Sequence, residues 1–255
     1  MAKTKVVIVT TTCYKSRTEL RFHLACQTIG NAIGSGYQVV VVDGSPNPQI
    51  AESFRRIGAN VWDQEGSTMG ASRREAFSIA KGFNPDIVVW IEPEKVDLIR
   101  HIDQLTLPIV IGSADVVLMQ RTLISWHSYP EFQQESEVQA NGTFFQQTGK
   151  RLDIMSGPIA FRRDALDIFA NCNPDSFGGF DTYIQHIAVM KAMNDGFRVS
   201  ETPIDFLYPL AQRLEDEASP EMATKRRHQL AECAANYLAA ASHLRLFQRS
   251  EAAAV

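Results

Sequence analysis

Two glutamates, Glu92 and Glu94, flank a proline directly after the run Asp86-Ile-Val-Val-Trp-Ile91. That apolar, β-branched run reads as a buried central strand. A strand that ends this way presents both carboxylates at the carboxyl edge of a sheet, where open α/β sheets bind their ligands. Paired hard oxygen donors there suit a divalent cation holding a substrate diphosphate. The plainer alternative is a strand that ends in a charged, solvated turn.

Other polar groups fall at comparable places. Thr10-Thr11-Thr12 follow the apolar run Lys5–Val9, and Asp43-Gly-Ser-Pro46 follows Tyr37–Val42. Carboxyl ends of adjacent parallel strands point the same way, so these groups can converge with Glu92 and Glu94 on one cleft. Asp43 can accept from a nucleoside ring or ribose, or serve its own turn as an Asx residue. Arg73 and Arg74 follow Gly70-Ala-Ser72 near a helix start, where backbone N–H groups favour an anion and a guanidinium offers a fork to phosphate. Arg74 is also consistent with a solvated helix face. Trp126, His127 and Tyr129 can line a sugar or anchor a loop. Gln212-Arg213 can close over phosphate or lie on the surface. His23, His186 and His228 fall within expected helices and read as packing or surface residues.

The elements that must position these groups alternate. Strands are expected at Lys5–Val9, Tyr37–Val42, Ala59–Trp62 and Asp86–Ile91. Helices are expected from the Ser16/Glu19 capping-box pattern through about Ile33, over Ile50–Ile57, from Gly66-Ser-Thr68 to about Gly82, and around Val96–Leu105. Such alternation predicts a mostly parallel, doubly wound sheet. Further strands are expected at Asp115–Arg121 and Phe197–Phe206, with ordered structure over Asp153–Phe161 and Asp181 opening a helix that ends near Gly196. Residues 122–152 read as a long, polar, irregular loop of the kind that forms lids. Ser219-Pro-Glu221 is a helix start, and the helix is expected to run to about Arg249. Its stripe of Leu230, Cys233, Ala234, Tyr237, Ala241 and Leu244 predicts packing on the domain or a second subunit, without a part in catalysis. The expected division is a domain over 1–218 and a C-terminal helix with tail over 219–255.

Composition bounds the function. The chain has 255 residues and a net charge of −4, which gives no electrostatic footprint for nucleic acid. Its four scattered cysteines form no metal or disulfide pattern and predict a reduced, cytoplasmic protein. No run is apolar and long enough to suggest a membrane span, and no secretory signal is read at the N-terminus.

The order of these motifs resembles the family 2 glycosyltransferases, which have a GT-A fold. Val6-Val-Ile-Val-Thr-Thr11 is similar to that family's opening strand. Val40-Val-Val-Asp43-Gly-Ser-Pro46 is similar to its nucleotide-binding turn, Gly70-Ala-Ser-Arg-Arg74 to its Gly-x-x-x-Arg-Asn segment, and Ile91-Glu-Pro-Glu94 to its Asp-x-Asp metal motif. Ser156-Gly157, Phe161-Arg-Arg163 and Val199–Phe206 resemble the acceptor side, the last being reminiscent of polyprenol-phosphate glycosyltransferases. The departures are glutamates for both metal aspartates, Arg74 for the usual Asn, and Phe180-Asp181 for an acceptor-side Glu-Asp. The resemblance implies a single GT-A-like domain and a Mg2+- or Mn2+-dependent transfer of sugar, inverting, from a nucleoside-diphosphate sugar. It implies donor contacts from Thr10, Thr11, Asp43, Arg73 and Glu92, metal ligation by Glu94 and Glu92, and Asp181 as general base. A polyprenol phosphate is one acceptor it allows, and a homodimer or peripheral membrane contact through the basic C-terminal helix would go with it. The competing readings are a non-catalytic nucleotide-sugar binder and a sugar-phosphate nucleotidyltransferase, though the latter's glycine-rich first loop is missing here.

Overall fold

Val6-Val-Ile-Val9 and Val39–Val42 offer no polar face, so only a sheet covered on both sides accommodates them. The computed structural model, which describes residues 4–244, shows that arrangement. Among the described residues the sheet has seven strands, β1 (Val6–Thr12), β2 (Gln38–Asp43), β3 (Asn60–Asp63), β4 (Ile87–Trp90), β5 (Val116–Arg121), β6 (Ile159–Arg162) and β7 (Val199–Ile204), ordered β3-β2-β1-β4-β6-β5-β7. Only β6 runs antiparallel, pairing with β4 on one side and β5 on the other. The expected mostly parallel, doubly wound sheet is what forms.

Helices cover both faces. They are α1 (Leu20–Gly34), α2 (Pro48–Ile57), α3 (Met69–Lys81), α4 (Ile102–Val110), α5 (Leu123–His127), α6 (Glu131–Thr148), α7 (Leu166–Ala170), α8 (Ile184–Asn194), α9 (Leu210–Ala218) and α10 (Pro220–Leu244). Alternate strand residues divide between two cores. Val7, Val9, Val40, Val42 and Val88 pack with Phe77 of α3, while Ile8, Val39, Val41 and Val89 pack with Phe22 of α1 and Phe54 of α2. Each such buried side chain contributes about 1.5–3 kcal/mol. Thr68 caps α3 by accepting from the Ala71 amide, and Gly58 ends α2 at φ 105°. The Ser16/Glu19 box forms only in part. Glu19 accepts from the amides of Ser16 and Lys15, and α1 begins after it.

Residues 122–152 correct the expectation of an irregular loop. Most of this stretch is helix, and the 18-residue α6 packs against α10. The buried face of α6 recurs at helical spacing but is built from Gln133, Ser136, Glu137, Ala140 and Phe144, so a search for apolar periodicity passes over it. What buries these polar groups is a network. Arg121 is ion-paired to both Glu137 and Asp153, Gln133 donates to Glu137, and Asn141 donates to Asp153.

The C-terminal helix belongs to the same core. Cys233, Tyr237, Ala240 and Ala241 join the cluster that holds Phe144 of α6. The part of that helix expected beyond Leu244, with Arg245 and Arg249, lies outside the described residues. Among the described residues no helix is long and apolar enough to cross a membrane.

Candidate functional site

At the carboxyl edge of β1 and β4 lies a cleft of about 420 Å³. Thr11, Thr12 and Tyr14 border it from the end of β1, Glu92 and Glu94 from the end of β4, Thr68 and Arg73 from α3, and Lys225 and Arg226 from α10. The sheet brings the expected strand ends together because β1 sits between β2 and β4 in parallel register.

The two glutamates occupy different electrostatic settings. Tyr14 Oη donates to Glu94 Oε1 at 3.0 Å. Burial pushes the Glu94 carboxyl above its usual range, against the pull of Arg21. Lys95 Nζ lies 2.9 Å from Glu92 Oε2. Burial presses on Glu92 as well, but Lys95, Arg226 and Arg73 outweigh it and hold that carboxyl below its usual range. Glu92 is recessed among protein groups yet its side chain is 45% exposed, because the cleft opens onto it. Gly157, at φ 99°, leaves that space. Two hard carboxylates, neither in an arginine ion pair, fit a divalent cation. No group of three or more such ligands exists among the described residues.

Arg73 is a buried cation without a carboxylate partner among the described residues. Its Nη1 donates to Gln185 Oε1 at 2.7 Å, and its guanidinium sits over the Trp90 and Tyr183 rings at 5.1 and 5.3 Å. Its Nε is buried with no hydrogen-bond partner. Burial lowers its pKa, opposed by Tyr183 and Glu92. Tyr183 holds its ring there from a left-handed backbone, φ 47°, a conformation that costs a non-glycine residue free energy and concentrates at functional sites. A desolvated arginine facing a cleft has the chemistry to bind an anion.

Other expected residues lie nearby but not in the cleft. Thr10 is fully buried and donates to Ile91 O at 2.9 Å, tying β1 to β4 beneath the floor. Asp43 also sits below the floor, accepting from Thr12 and Ser45 at 2.6 Å each. Burial raises its carboxyl, and those hydrogen bonds oppose the rise. Asp181 is ion-paired to Arg74 and accepts from Thr68, and its side chain is 7% exposed. Its backbone carbonyl accepts from the Gly70 amide at 2.8 Å. Asp181 thus clamps the start of α3, and Arg74 is its partner rather than a solvated surface charge. Tyr129 is buried and accepts from Lys95 Nζ at 2.9 Å, while Trp126 stacks under Arg121. Gln212 lines a small pocket behind the glutamates, and Arg213 binds the His127 and Ser128 carbonyls.

The sequence reading missed the roof. Lys225 and Arg226 of α10 line the cleft, which brings this helix to the candidate site. Lys225 has no ion pair among the described residues, and burial, with Arg21 and Arg226 adding, lowers its pKa. The signal was present as Lys225-Arg226-Arg227, but only the fold tells which face turns inward.

No protein-family model and no curated protein matches this sequence. Solved structures do match. Glucosyl-3-phosphoglycerate synthase from Mycobacterium tuberculosis, in complex with Mn2+, uridine diphosphate and phosphoglyceric acid, is 14% identical over 91% of this chain and 79% of its own, with a TM-score of 0.54. Mannosyl-3-phosphoglycerate synthase from Rubrobacter xylanophilus is 13% identical over 97% of this chain and 75% of its own, with a TM-score of 0.57. The order of strands, the cleft at their carboxyl ends and these likenesses together give the chain the GT-A type of glycosyltransferase fold.

Proposed function

We propose that this protein transfers a sugar from a nucleoside-diphosphate donor to an acceptor hydroxyl with the help of a divalent metal. One observation carries the reading. Two carboxylates, Glu92 and Glu94, face Arg73, Lys225 and Arg226 across a single cleft at the carboxyl edge of the sheet. That charge pattern suits a diphosphate. The glucosyl-3-phosphoglycerate synthase named above, solved with Mn2+ and uridine diphosphate, supports it.

Glu92 and Glu94 would hold a Mg2+ or Mn2+ ion, which when bound supplies Lewis acidity toward the diphosphate and a template for it. Arg73, Lys225 and Arg226 bind the phosphates and stabilise the charge that grows as the sugar–phosphate bond breaks. Thr11 and Thr12 border the donor. Asp43 acts from beneath, fixing the Thr12 hydroxyl rather than touching the donor itself. Tyr14, kept protonated by burial and by Glu94, orients the Glu94 carboxylate.

The acceptor hydroxyl forms the new bond to the anomeric carbon, the bond to the diphosphate breaks, and the hydroxyl proton must leave. Inversion assigns that proton to a base on the acceptor side, and the family resemblance names Asp181. Both oxygens of Asp181 are engaged by Arg74 and Thr68, and the only carboxylates lining the cleft among the described residues are Glu92 and Glu94. This favours a second stereochemical reading, in which the departing diphosphate takes the proton and the configuration is retained.

The test is thermal melting with uridine- and guanosine-diphosphate sugars, with and without Mn2+, followed by product analysis. A metal-dependent shift with turnover supports the transferase. A shift without turnover across an acceptor panel supports a nucleotide-sugar binder, and no shift with any donor overturns the reading. Proton NMR of the product's anomeric signal separates retention from inversion.

A further inference from the structure

Lys95 follows Glu94 directly, and its ammonium is locked against Glu92. The turn between them is tight. The Lys95 amide donates to the Glu92 carbonyl at 3.2 Å, and a 3-10 helix over Val96–His101 begins at the next residue. The side chain runs inward and is 7% exposed. Its Nζ lies 2.9 Å from Glu92 Oε2 and donates to Tyr129 Oη at 2.9 Å, with the Tyr129 and Phe206 rings 5.2 and 5.1 Å away. Among the described residues Glu92 is its only ion-pair partner. Burial opposes the charge, but Glu92 and Tyr129 hold the Lys95 pKa above its usual range, so the group stays an ammonium. A buried ammonium stripped of its carboxylate is strongly destabilising, so Lys95 keeps its hold on Glu92.

The ammonium reaches Glu92 from the side away from the cleft. Lys95 lines a small pocket of about 60 Å³ behind the two glutamates and does not border the cleft itself. Glu92 therefore stands between a fixed cation at its back and the cleft at its front. Its Oε1 accepts no hydrogen bond among the described residues, which leaves that oxygen for a second cation. A divalent ion there shares one carboxylate with an ammonium, and like charges so close repel strongly where water is scarce. Across the cleft, Arg21 is offset by Asp216 and Arg226 in part by Glu137, while Arg73 and Lys225 have no carboxylate partner among the described residues. A diphosphate entering the cleft meets the opposite field, one that attracts it.

Resting on the transferase reading, we infer that Lys95 is a resident counter-ion that makes metal binding depend on the nucleotide. Mg2+ or Mn2+ alone occupies the glutamate pair weakly, and binds tightly once a nucleoside diphosphate has brought its negative charge. The nucleotide binds measurably by itself, through Arg73 and Lys225, and more tightly with the ion. By linkage each ligand raises the affinity of the other by the same factor. A glutamate pair without Lys95 would instead take up the free ion before any donor arrives.

The experiment follows Mn2+ binding to the full chain through loss of the free-ion electron paramagnetic resonance signal, with and without saturating uridine diphosphate. A protein-free titration corrects for Mn2+ bound by the nucleotide. Uridine diphosphate should tighten Mn2+ binding by about tenfold or more, within the usual span of coupling between two ligands. Lys95→Met should bind Mn2+ without nucleotide about fivefold or more tightly than wild type, and its coupling should fall to about threefold or less. Tyr129→Phe keeps the ammonium and removes only its second hydrogen bond, so it should match wild type. If Lys95→Met binds Mn2+ alone no better than wild type, Lys95 merely props Glu92 in place and the proposal is wrong. The wild-type comparison decides even if that variant does not fold, because equal Mn2+ affinity with and without uridine diphosphate overturns this proposal alone. No Mn2+ binding in either condition overturns the metal reading along with it.

Discussion

Glu92 and Gly157 share one space. A β-carbon on Gly157 would come within 2.6 Å of Glu92 Oε2, and the glycine itself sits at φ 99°. The loop that precedes β6 therefore yields its side chain so that the Glu92 carboxylate can face the cleft. Gly157→Ala should cost about 1–3 kcal/mol through backbone strain and should also displace Glu92. Mn2+ titration of the variant, followed by quenching of protein fluorescence, should show weakened binding. Unchanged metal affinity in a folded variant would mean that Glu92 does not hold the ion.

Removing the two carboxylates proposed to hold the metal should separate their roles. Glu94→Ala should leave the fold intact and lower the transfer rate by about two to three orders of magnitude, the usual effect of losing one electrostatic element aimed at the transition state. Glu92→Ala should act more on donor affinity than on rate, since Glu92 already shares its charge with Lys95. Steady-state kinetics at several Mn2+ concentrations distinguishes the two. Near-wild-type kinetics in both variants would place the ion elsewhere.

Arg73→Gln should lower affinity for uridine diphosphate by about tenfold or more while leaving the melting temperature unchanged or raised. A buried charge without a paired carboxylate opposes folding, so its loss should not destabilise. Lys225→Gln and Arg226→Gln should each weaken nucleotide binding further. Titration of the three variants beside melting curves checks both halves. A collapse in stability without a change in affinity would make Arg73 a packing residue.

Asp181→Asn tests the base against the clamp. If Asp181 holds Arg74 and the start of α3, the variant should lose about 1–3 kcal/mol of stability and show a broad, modest loss of activity. Urea unfolding together with a pH–rate profile decides. A fully stable variant whose rate falls by orders of magnitude, with one limb of the profile missing, would restore the general-base role.

His186 predicts an acid limit. It is buried, its Nδ1 lies 2.9 Å from Tyr237 Oη, and burial, with Arg73 adding, holds its pKa down at about 3. The unfolded chain takes up this proton near about pH 6.5 but the folded protein does not. The unfolded state thus binds more protons between those values, and stability falls as pH drops through that window. The loss should reach about 2–3 kcal/mol by about pH 4.5, at about 1.4 kcal/mol per unit below the unfolded pKa. In His186→Gln that part of the dependence should vanish. Parallel pH dependence in wild type and variant from about pH 6.5 to 4.5 would sink the idea.

What the sequence determined by itself was the sheet and the residues at its edge. Uniform apolar runs demand burial on both faces, and acids and threonines placed just after them can only emerge at the carboxyl ends. Asp43, Glu92 and Glu94 were legible on that basis, while the GT-A fold came from the resemblance of the motifs and Arg73 from its place near a helix start. The tertiary structure decided which of them reach the cleft. Thr10 and Asp43 turn beneath the floor because their hydroxyl and carboxylate find partners in Ile91, Thr12 and Ser45. Asp181 is spent on Arg74, which follows it by no sequence rule. Residues 131–148 fold as a helix because Arg121, Asp153 and Arg226 arrive from elsewhere to satisfy its polar inner face, and hydrophobic periodicity is blind to burial achieved by hydrogen bonds. The roof of the cleft was invisible for the same kind of reason. A run of three basic residues on a helix specifies charge, but its register against α6 and α8 selects Lys225 and Arg226 as the pair that faces the cleft.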